Sequence, residues 1–445
     1  EQVPQKQKPD ESKTIKTDEK KPEKIFITTN ESPDQSNLDC EIFMQAATPD
    51  IYRINAFRIS GLNVNASNRE ISSQVQKNQM IEKYGGKMDN QKSPFPIEPP
   101  PDIDKLRQAL HRLRDPETRI IDEFFWFWPH SIDNGIKDHA LEALSGNDIK
   151  TAESLWVNYE STLTESNVSR HNLAVLSHLL ALDIELNGKD LAQDEIALRD
   201  KCWKETYKRW KLLLEHEGFW SRLNARVRQM EDPRLTTGFV RRMRASLPHA
   251  ILQINGMMAV DFAGRGKEEE AKRQLDLIRT SGFESAIIER ALRTAVDPVR
   301  QRIKVFSLSA CEEAEKNNFR GIEFGRQILT QTQNPLRTLK ILLPEKNLMI
   351  EGAEDDIINN VFNCYLKYVN KTDDYVSALE FINSIKNFVE SDASKARIDE
   401  KVKLIEGILE YSNFWRLKGY YSYPSHCVER METAYNMEEA QSFDE

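Results

Sequence analysis

Cysteine is scarce in this chain and poorly arranged for any shared task. The five, Cys40, Cys202, Cys311, Cys364 and Cys427, are an odd number, widely spaced, with no Cys-x-x-Cys pair and no histidines at metal-ligand spacing. They read as free thiols in a reducing, cytoplasmic setting, each behaving as a small hydrophobe. No run of about 18 apolar residues could cross a bilayer, and the first forty residues lack the apolar core of a signal peptide. The chain starts at Glu1 and not at Met, which reads as a fragment or a processed product. Sustained alternation of β-branched residues is missing, so strands are not expected. Also missing are a Gly-rich phosphate loop followed by Lys-Ser or Lys-Thr and a Gly-x-Ser-x-Gly elbow. His171 and His178 stand seven apart, near one helix face, but no third ligand stands at i+3 or i+4. The carboxylates fall in charged helix faces and not in an apolar setting that would tune one as an acid. No catalytic residue, metal or cofactor is expected, and the chain reads as non-enzymatic.

What is present in quantity is charge and helical periodicity. Charged residues make up 30% of the chain, a polar bias, and 445 residues call for more than one core, since a single core rarely grows past ~250 residues. The formal charge of −9 argues against coating nucleic acid along the whole length and leaves local patches to be sought by region. Residues 1 to 48 are rich in Lys, Glu, Asp, Gln, Pro, Ser and Thr, and cannot bury enough apolar surface to offset the entropy of ordering. A disordered arm is expected there.

From Asp50 the pattern changes. Tyr52, Ile54, Phe57, Ile59 and Leu62 predict a short helix that Gly61 and the Asn63–Asn65 stretch turn. Ser67 and Glu70 have the spacing at which a hydroxyl and a carboxylate reciprocally satisfy free amides at a helix start. The helix they open carries Ile71, Val75, Ile81 and Tyr84 roughly along one side and should stop at Gly85-Gly86. A loop with Pro94, Pro96, Pro99, Pro100 and Pro101 cannot be helix interior. A third helix, from Asp102, places Ile103, Leu106, Leu110 and Leu113 on one face.

This order, a Gly-Leu turn, a capped helix, a loop, and a helix followed by Asp115-Pro116-Glu117-x-Arg119, resembles the J domain of the DnaJ-type co-chaperones. The likeness covers less than a fifth of the chain and implies a helical fold over residues 49 to 129. In that family a His-Pro-Asp tripeptide in the loop between the second and third helices engages the seventy-kilodalton heat-shock chaperone and stimulates its ATPase. The corresponding loop here, 87 to 101, has no such tripeptide, and residues 69 to 84 carry only Arg69, Lys77 and Lys83 against Glu70 and Glu82. The resemblance lends the fold and none of the family's functional residues.

Asp115 is placed to cap a further helix, with Pro116 at its first position and Glu117 in its first turn. That helix is expected to reach Trp128 and stop at Pro129, burying Phe124, Phe125, Trp126 and Trp128 at an interface between the J-like domain and the helices C-terminal to it. From 130 to 415 the sequence reads as helices joined by Gly, Pro or Asn turns: 138 to 144 with 149 to 160, 171 to 186 with 191 to 215, 248 to 263 with 267 to 280, and 355 to 369 with 373 to 389. The pairs resemble tetratricopeptide units in architecture, without a strict 34-residue period. Lone hairpins cannot bury their apolar faces, so an α-solenoid-like stack is expected. Residues 416 to 445 read as an irregular acidic tail, and the fold class is all-α.

The most unusual composition lies at 201 to 244, with twelve Lys or Arg against five acids. Arg222, Arg226, Arg228, Arg234, Arg241, Arg242 and Arg244 alternate with Trp203, Trp210, Phe219 and Trp220. Guanidinium groups suit bidentate contact with phosphate or carboxylate, and aromatic faces can stack on bases; the same aromatics at helical spacing can equally fill a core. The leading expectation is an adaptor binding a protein partner through the helical array. The alternatives are a nucleic-acid-associated module acting through 201 to 244 and an atypical co-chaperone.

Overall fold

Short polar side chains start the helices where the chain turns out of extended segments. The computed structural model describes residues 40–84, 95–130, 137–162, 167–187, 191–236, 238–372, 374–386, 388–389 and 392–417. Within it, Asn55 accepts from the amides of Phe57 and Arg58, Asp102 from Lys105, Asp115 from Thr118, and Asp138 from Ala140 and Leu141. Each supplies an acceptor for amides that no carbonyl of the helix can reach. Ser67 and Glu70 close their reciprocal box: the Glu70 amide donates to Ser67 Oγ at 3.3 Å, and the Ser67 amide to Glu70 Oε2 at 2.7 Å.

The elements in order are α1 (Glu41–Ala46), α2 (Ala56–Ser60), α3 (Asn68–Tyr84), α4 (Ile103–Arg112), α5 (Pro116–Phe124), α6 (His139–Ser145), α7 (Ile149–Thr162), α8 (Asn167–Leu186), α9 (Gln193–Leu214), α10 (Glu217–Gln229), α11 (Phe239–Gly264), α12 (Glu268–Arg279), α13 (Ser285–Lys316), α14 (Gly321–Leu342), α15 (Leu348–Thr372), α16 (Tyr375–Ile385) and α17 (Asp392–Leu417), with a 3-10 turn at Asn318–Arg320. No strand occurs among the described residues, and the chain is all-α. Helices neighbouring in sequence pack on one another as α6 on α7, α8 on α9, α11 on α12, α13 on α14 and α14 on α15.

Three departures from the sequence reading have physical causes. The arm does not extend to residue 48: α1 forms there, with Phe43 and Ala47 buried and the Cys40 amide donating to Ser246 Oγ at 2.9 Å. Six residues are too few to register against a polar background, and their partner lies on α11. That helix in turn begins at Phe239 and not at Pro248. Phe239, Met243, Leu247 and Ile251, four apart and all buried, hold it together through the proline, against the ~3 kcal/mol an interior proline costs. Third, α13 and α14 fill a stretch where the sequence pattern predicts no hairpin, each with its own interior proline, Pro298 and Pro335.

Two apolar cores succeed one another along the chain. The first gathers side chains from Cys40 to Ala291 and the second from Ala259 to Ile405, so α11 serves both, through Met258 in the first and Ala259 and Ala263 in the second. Where the cores meet, α11 and α13 come very close: a Cβ on Gly256 would stand 2.8 Å from the Cβ of Ala295. Only a residue without a side chain lets the two backbones approach so far.

Residues 49 to 129 share the first core with α8 to α11. Tyr52 Oη lies 3.1 Å from His178 Nδ1, Arg58 donates to both oxygens of Asp183 at 2.9 and 2.7 Å, and Arg53 donates to the Leu186 carbonyl. The expected arm up to residue 39, the Gly85-Gly86 stop with the loop as far as Pro94, Cys427 and the tail from 418 lie outside the described residues.

Candidate functional site

The aromatic run after α5 is held by side chains that finish the helix. Helix α5 ends at Phe124, short of Trp128, because the carbonyls of its last turn find partners elsewhere. Asn55 Nδ2 donates to the carbonyls of Asp122 and Phe125, Trp128 Nε1 to that of Glu123 at 2.6 Å, and His171 Nε2–H to that of Phe124 at 2.6 Å. Beyond the end, Asn172 takes both backbone groups of Trp128, accepting from its amide and donating to its carbonyl at 2.8 Å each. Phe124, Phe125, Trp126 and Trp128 are all buried, Trp126 the most exposed of them at 6%. Phe124 alone packs against the rings of Phe43, Phe125, Trp210 and Trp220. These residues are interior to the first core and offer no exposed aromatic face.

The arginine-rich region wraps around that run. Glu123 is 1% exposed and receives Arg226 as a fork, Nε to Oε2 at 2.8 Å and Nη2 to Oε1 at 2.7 Å, with Arg119 Nε on Oε1 at 2.9 Å. The bond to Glu123 holds the Arg226 pKa above its ordinary value against the opposing effect of burial. Arg222 donates to the carbonyls of His130 and Pro129 at 2.9 Å each, with its guanidinium over Trp128. Arg234 bridges Asp232, Asp115 and Glu117. Arg244 caps the Leu214 carbonyl, pairs with Glu217, and lies over Trp220.

Four of the seven arginines expected to contact a polyanion are therefore held by carboxylates or backbone carbonyls of the chain. Arg242 donates to Thr236 Oγ1, while Arg228 and Arg241 are exposed and make no ion pair among the described residues. The spacing that puts 222 and 226 one turn apart does place them together, facing inward onto residues 123 to 130. The same spacing at 241 and 244 does not, since Arg241 points to solvent and Arg244 onto the end of α9.

Beside Arg242 an open cleft of about 460 Å³ lies along the junction of α1 with α5 and α11; Glu41, Ile42, Glu117, Arg234, Phe239 and Arg242 are among the residues that line it. Its walls carry both signs of charge, with Ile42 and Phe239 between them. Among the described residues no group of three His, Cys, Asp or Glu is placed to hold a metal ion, and no helix is long and apolar enough to cross a membrane. His171 and His178 are core residues, stacked against Phe219 and edge-on to Tyr52 respectively. Burial keeps both imidazoles neutral, lowering His171 to about 4 and His178 to about 3.

The residue missed from sequence is Glu123, the anion around which the arginines gather. A signal for it exists: Glu123 falls three after Ile120 and one before Phe124, inside an apolar stripe, where an unpaired carboxylate would not be tolerated. Compared with protein-family models, curated proteins and solved structures, the chain matches none.

Proposed function

We propose that the chain is a non-enzymatic, cytoplasmic adaptor: a J-like helical segment fused to an α-solenoid-like array that binds a protein partner. The observation that carries this reading is the fate of the arginines. Arg222, Arg226, Arg234 and Arg244 grip residues 115 to 130, α9 and α10, which favours a rigid scaffold over a polyanion-binding surface. Where Arg234 and Arg242 reach the cleft beside α1, Glu41 and Glu117 stand with them. Carboxylates repel phosphate, whereas a mixed-charge wall over Ile42 and Phe239 suits a polypeptide with both apolar and charged side chains. The J-like part of the reading is supported by the order of short α2, capped α3 and amphipathic α4, with α4 packed on α2 and α3.

Two measurements test it together. The purified chain should leave the steady-state ATPase of a seventy-kilodalton heat-shock chaperone unchanged. It should also retain a protein partner from host extract after nuclease treatment, with only shallow salt dependence. Stimulation by the intact, folded chain would favour the co-chaperone reading. A steep linear fall of log affinity for RNA or single-stranded DNA with log salt would favour the nucleic-acid reading instead.

A further inference from the structure

Two cysteines of the second core and an ion pair at its edge form a cluster that the adaptor reading leaves unused. Cys311 and Glu315 stand one turn apart on α13, Cys364 and Lys367 likewise on α15, and the two helices pack together. The Lys367 ammonium donates to Cys311 Sγ at 3.4 Å, to the Cys311 carbonyl at 3.2 Å and to the Glu315 carboxylate. Cys364 is fully buried in the same core as Cys311 and stands one turn before Lys367 on α15, the helix that packs on α13. The start of α14 packs closely on α15 at this point: a Cβ on Gly321 would fall 2.2 Å from the Cys364 carbonyl. On the other side, the Lys367 side chain is 23% exposed and that of Glu315 65%, so the Cys311 sulfur lies just beneath a water-facing ion pair. We propose that Cys311 and Cys364 form a peroxide-responsive dithiol, with Cys311 the reacting thiolate, Cys364 the resolving thiol and Lys367 the positioning cation.

The roles are set by the surroundings. The Cys364 thiol, with the Lys367 charge, brings the Cys311 thiol down to about 6, while the same coupling and burial hold Cys364 far above the usual thiol range. The thiolate is the form that attacks peroxides, so Cys311, whose sulfur meets the Lys367 ammonium, takes the reacting role and the enclosed Cys364 the resolving one. The Cys311 thiolate attacks one peroxide oxygen; an S–O bond forms, the O–O bond breaks, and hydroxide departs with the electron pair. Cys364 then attacks the sulfenic sulfur as its proton passes to the leaving oxygen; the S–S bond forms, the S–O bond breaks and water is released. One thiolate, one thiol and one hydrogen peroxide give one disulfide, one hydroxide and one water. Cys202, pushed up to about 11 chiefly by burial, is the internal control.

The experiment uses the full folded chain and hydrogen peroxide at one equivalent, with alkylation after unfolding, digestion without reductant and mass spectrometry. The peptides carrying Cys311 and Cys364 should be recovered linked, with Cys202 alkylated. In Cys364→Ser, dimedone should label Cys311. Lys367→Met should slow the reaction of Cys311 at neutral pH about tenfold through loss of thiolate, and Lys367→Arg should restore it. The proposal is overturned if Cys311 and Cys364 of the wild-type chain survive peroxide as fully as Cys202, or if oxidised Cys311 links to any sulfur other than Cys364.

Discussion

Arg119 and Arg226 share one carboxylate oxygen: both guanidinium groups donate to Oε1 of Glu123, from 107 positions apart in the chain, at 2.9 and 2.7 Å. The triad ties α5 to α10 and is closed off from water on the acid's side.

Removing the acid should therefore be costly. Glu123→Ala leaves two part-buried cations without their partner, and breaking a buried pair in this way costs about 3–5 kcal/mol. Urea unfolding should show the midpoint fall, whereas Arg241→Glu, on a solvent-facing side chain, should stay within about 0.5 kcal/mol of wild type. Equal, small effects from both would mean that water reaches Glu123 freely.

Trp128→Ala should lower stability by about 3–5 kcal/mol, as for truncation of any buried large aromatic. Trp128→Phe separates packing from hydrogen bonding, because it keeps a ring and removes the Nε1 donor that satisfies the Glu123 carbonyl. A loss of about 1–3 kcal/mol is expected from that orphaned acceptor. Trp128→Ala melting like wild type would place the indole on the surface.

Acid should weaken the fold through His171 and His178. In the unfolded chain both imidazoles titrate near 6.5, while in the folded chain burial lowers them to about 4 and about 3. Above pH 6.5 neither state gains a proton and their contribution to stability is complete. As pH falls below 6.5 the unfolded state binds protons that the folded state refuses, and each histidine removes stability by up to ~1.4 kcal/mol per pH unit. The loss levels off below the folded values. His178→Gln, which can still bond Tyr52, should flatten the unfolding free energy against pH by about one proton between pH 4 and 6; an unchanged slope would mean the ring is already protonated in the fold.

Gly256→Val should strain the meeting of the two cores, where even a Cβ comes within 2.8 Å of Ala295. Overpacking of this kind costs about 1–3 kcal/mol, and Gly256→Val combined with Ala295→Gly should recover part of it. No recovery in the double variant would locate the strain elsewhere.

The helical class and several helix starts could be read in the sequence because both are local. Asp102, Asp115, Asp138 and the Ser67–Glu70 pair act within one turn of themselves. What could not be read depends on partners far along the chain. The six residues of α1 become a helix only against α11, the end of α5 is set by Asn55, His171 and Asn172, and Pro248 is carried by the buried face of its own helix. The arginine region shows the same limit. Its composition is plain, but whether Arg226 meets solvent or Glu123 is decided 103 residues away.

The seating of α1 on α11 also sets a clock for the nascent chain. Cys40 meets Ser246, and the Met44 carbonyl meets Gln253, across 206 and 209 positions. At ~5–20 residues per second of synthesis, Phe43 waits roughly 10–40 s on the ribosome for the helix that will cover it, and Tyr52 and the aromatic run after α5 wait for a shorter time, on the order of 4–25 s. During that interval side chains that end up buried stand uncovered, and the nascent N-terminal half is itself a segment that a holding chaperone would protect.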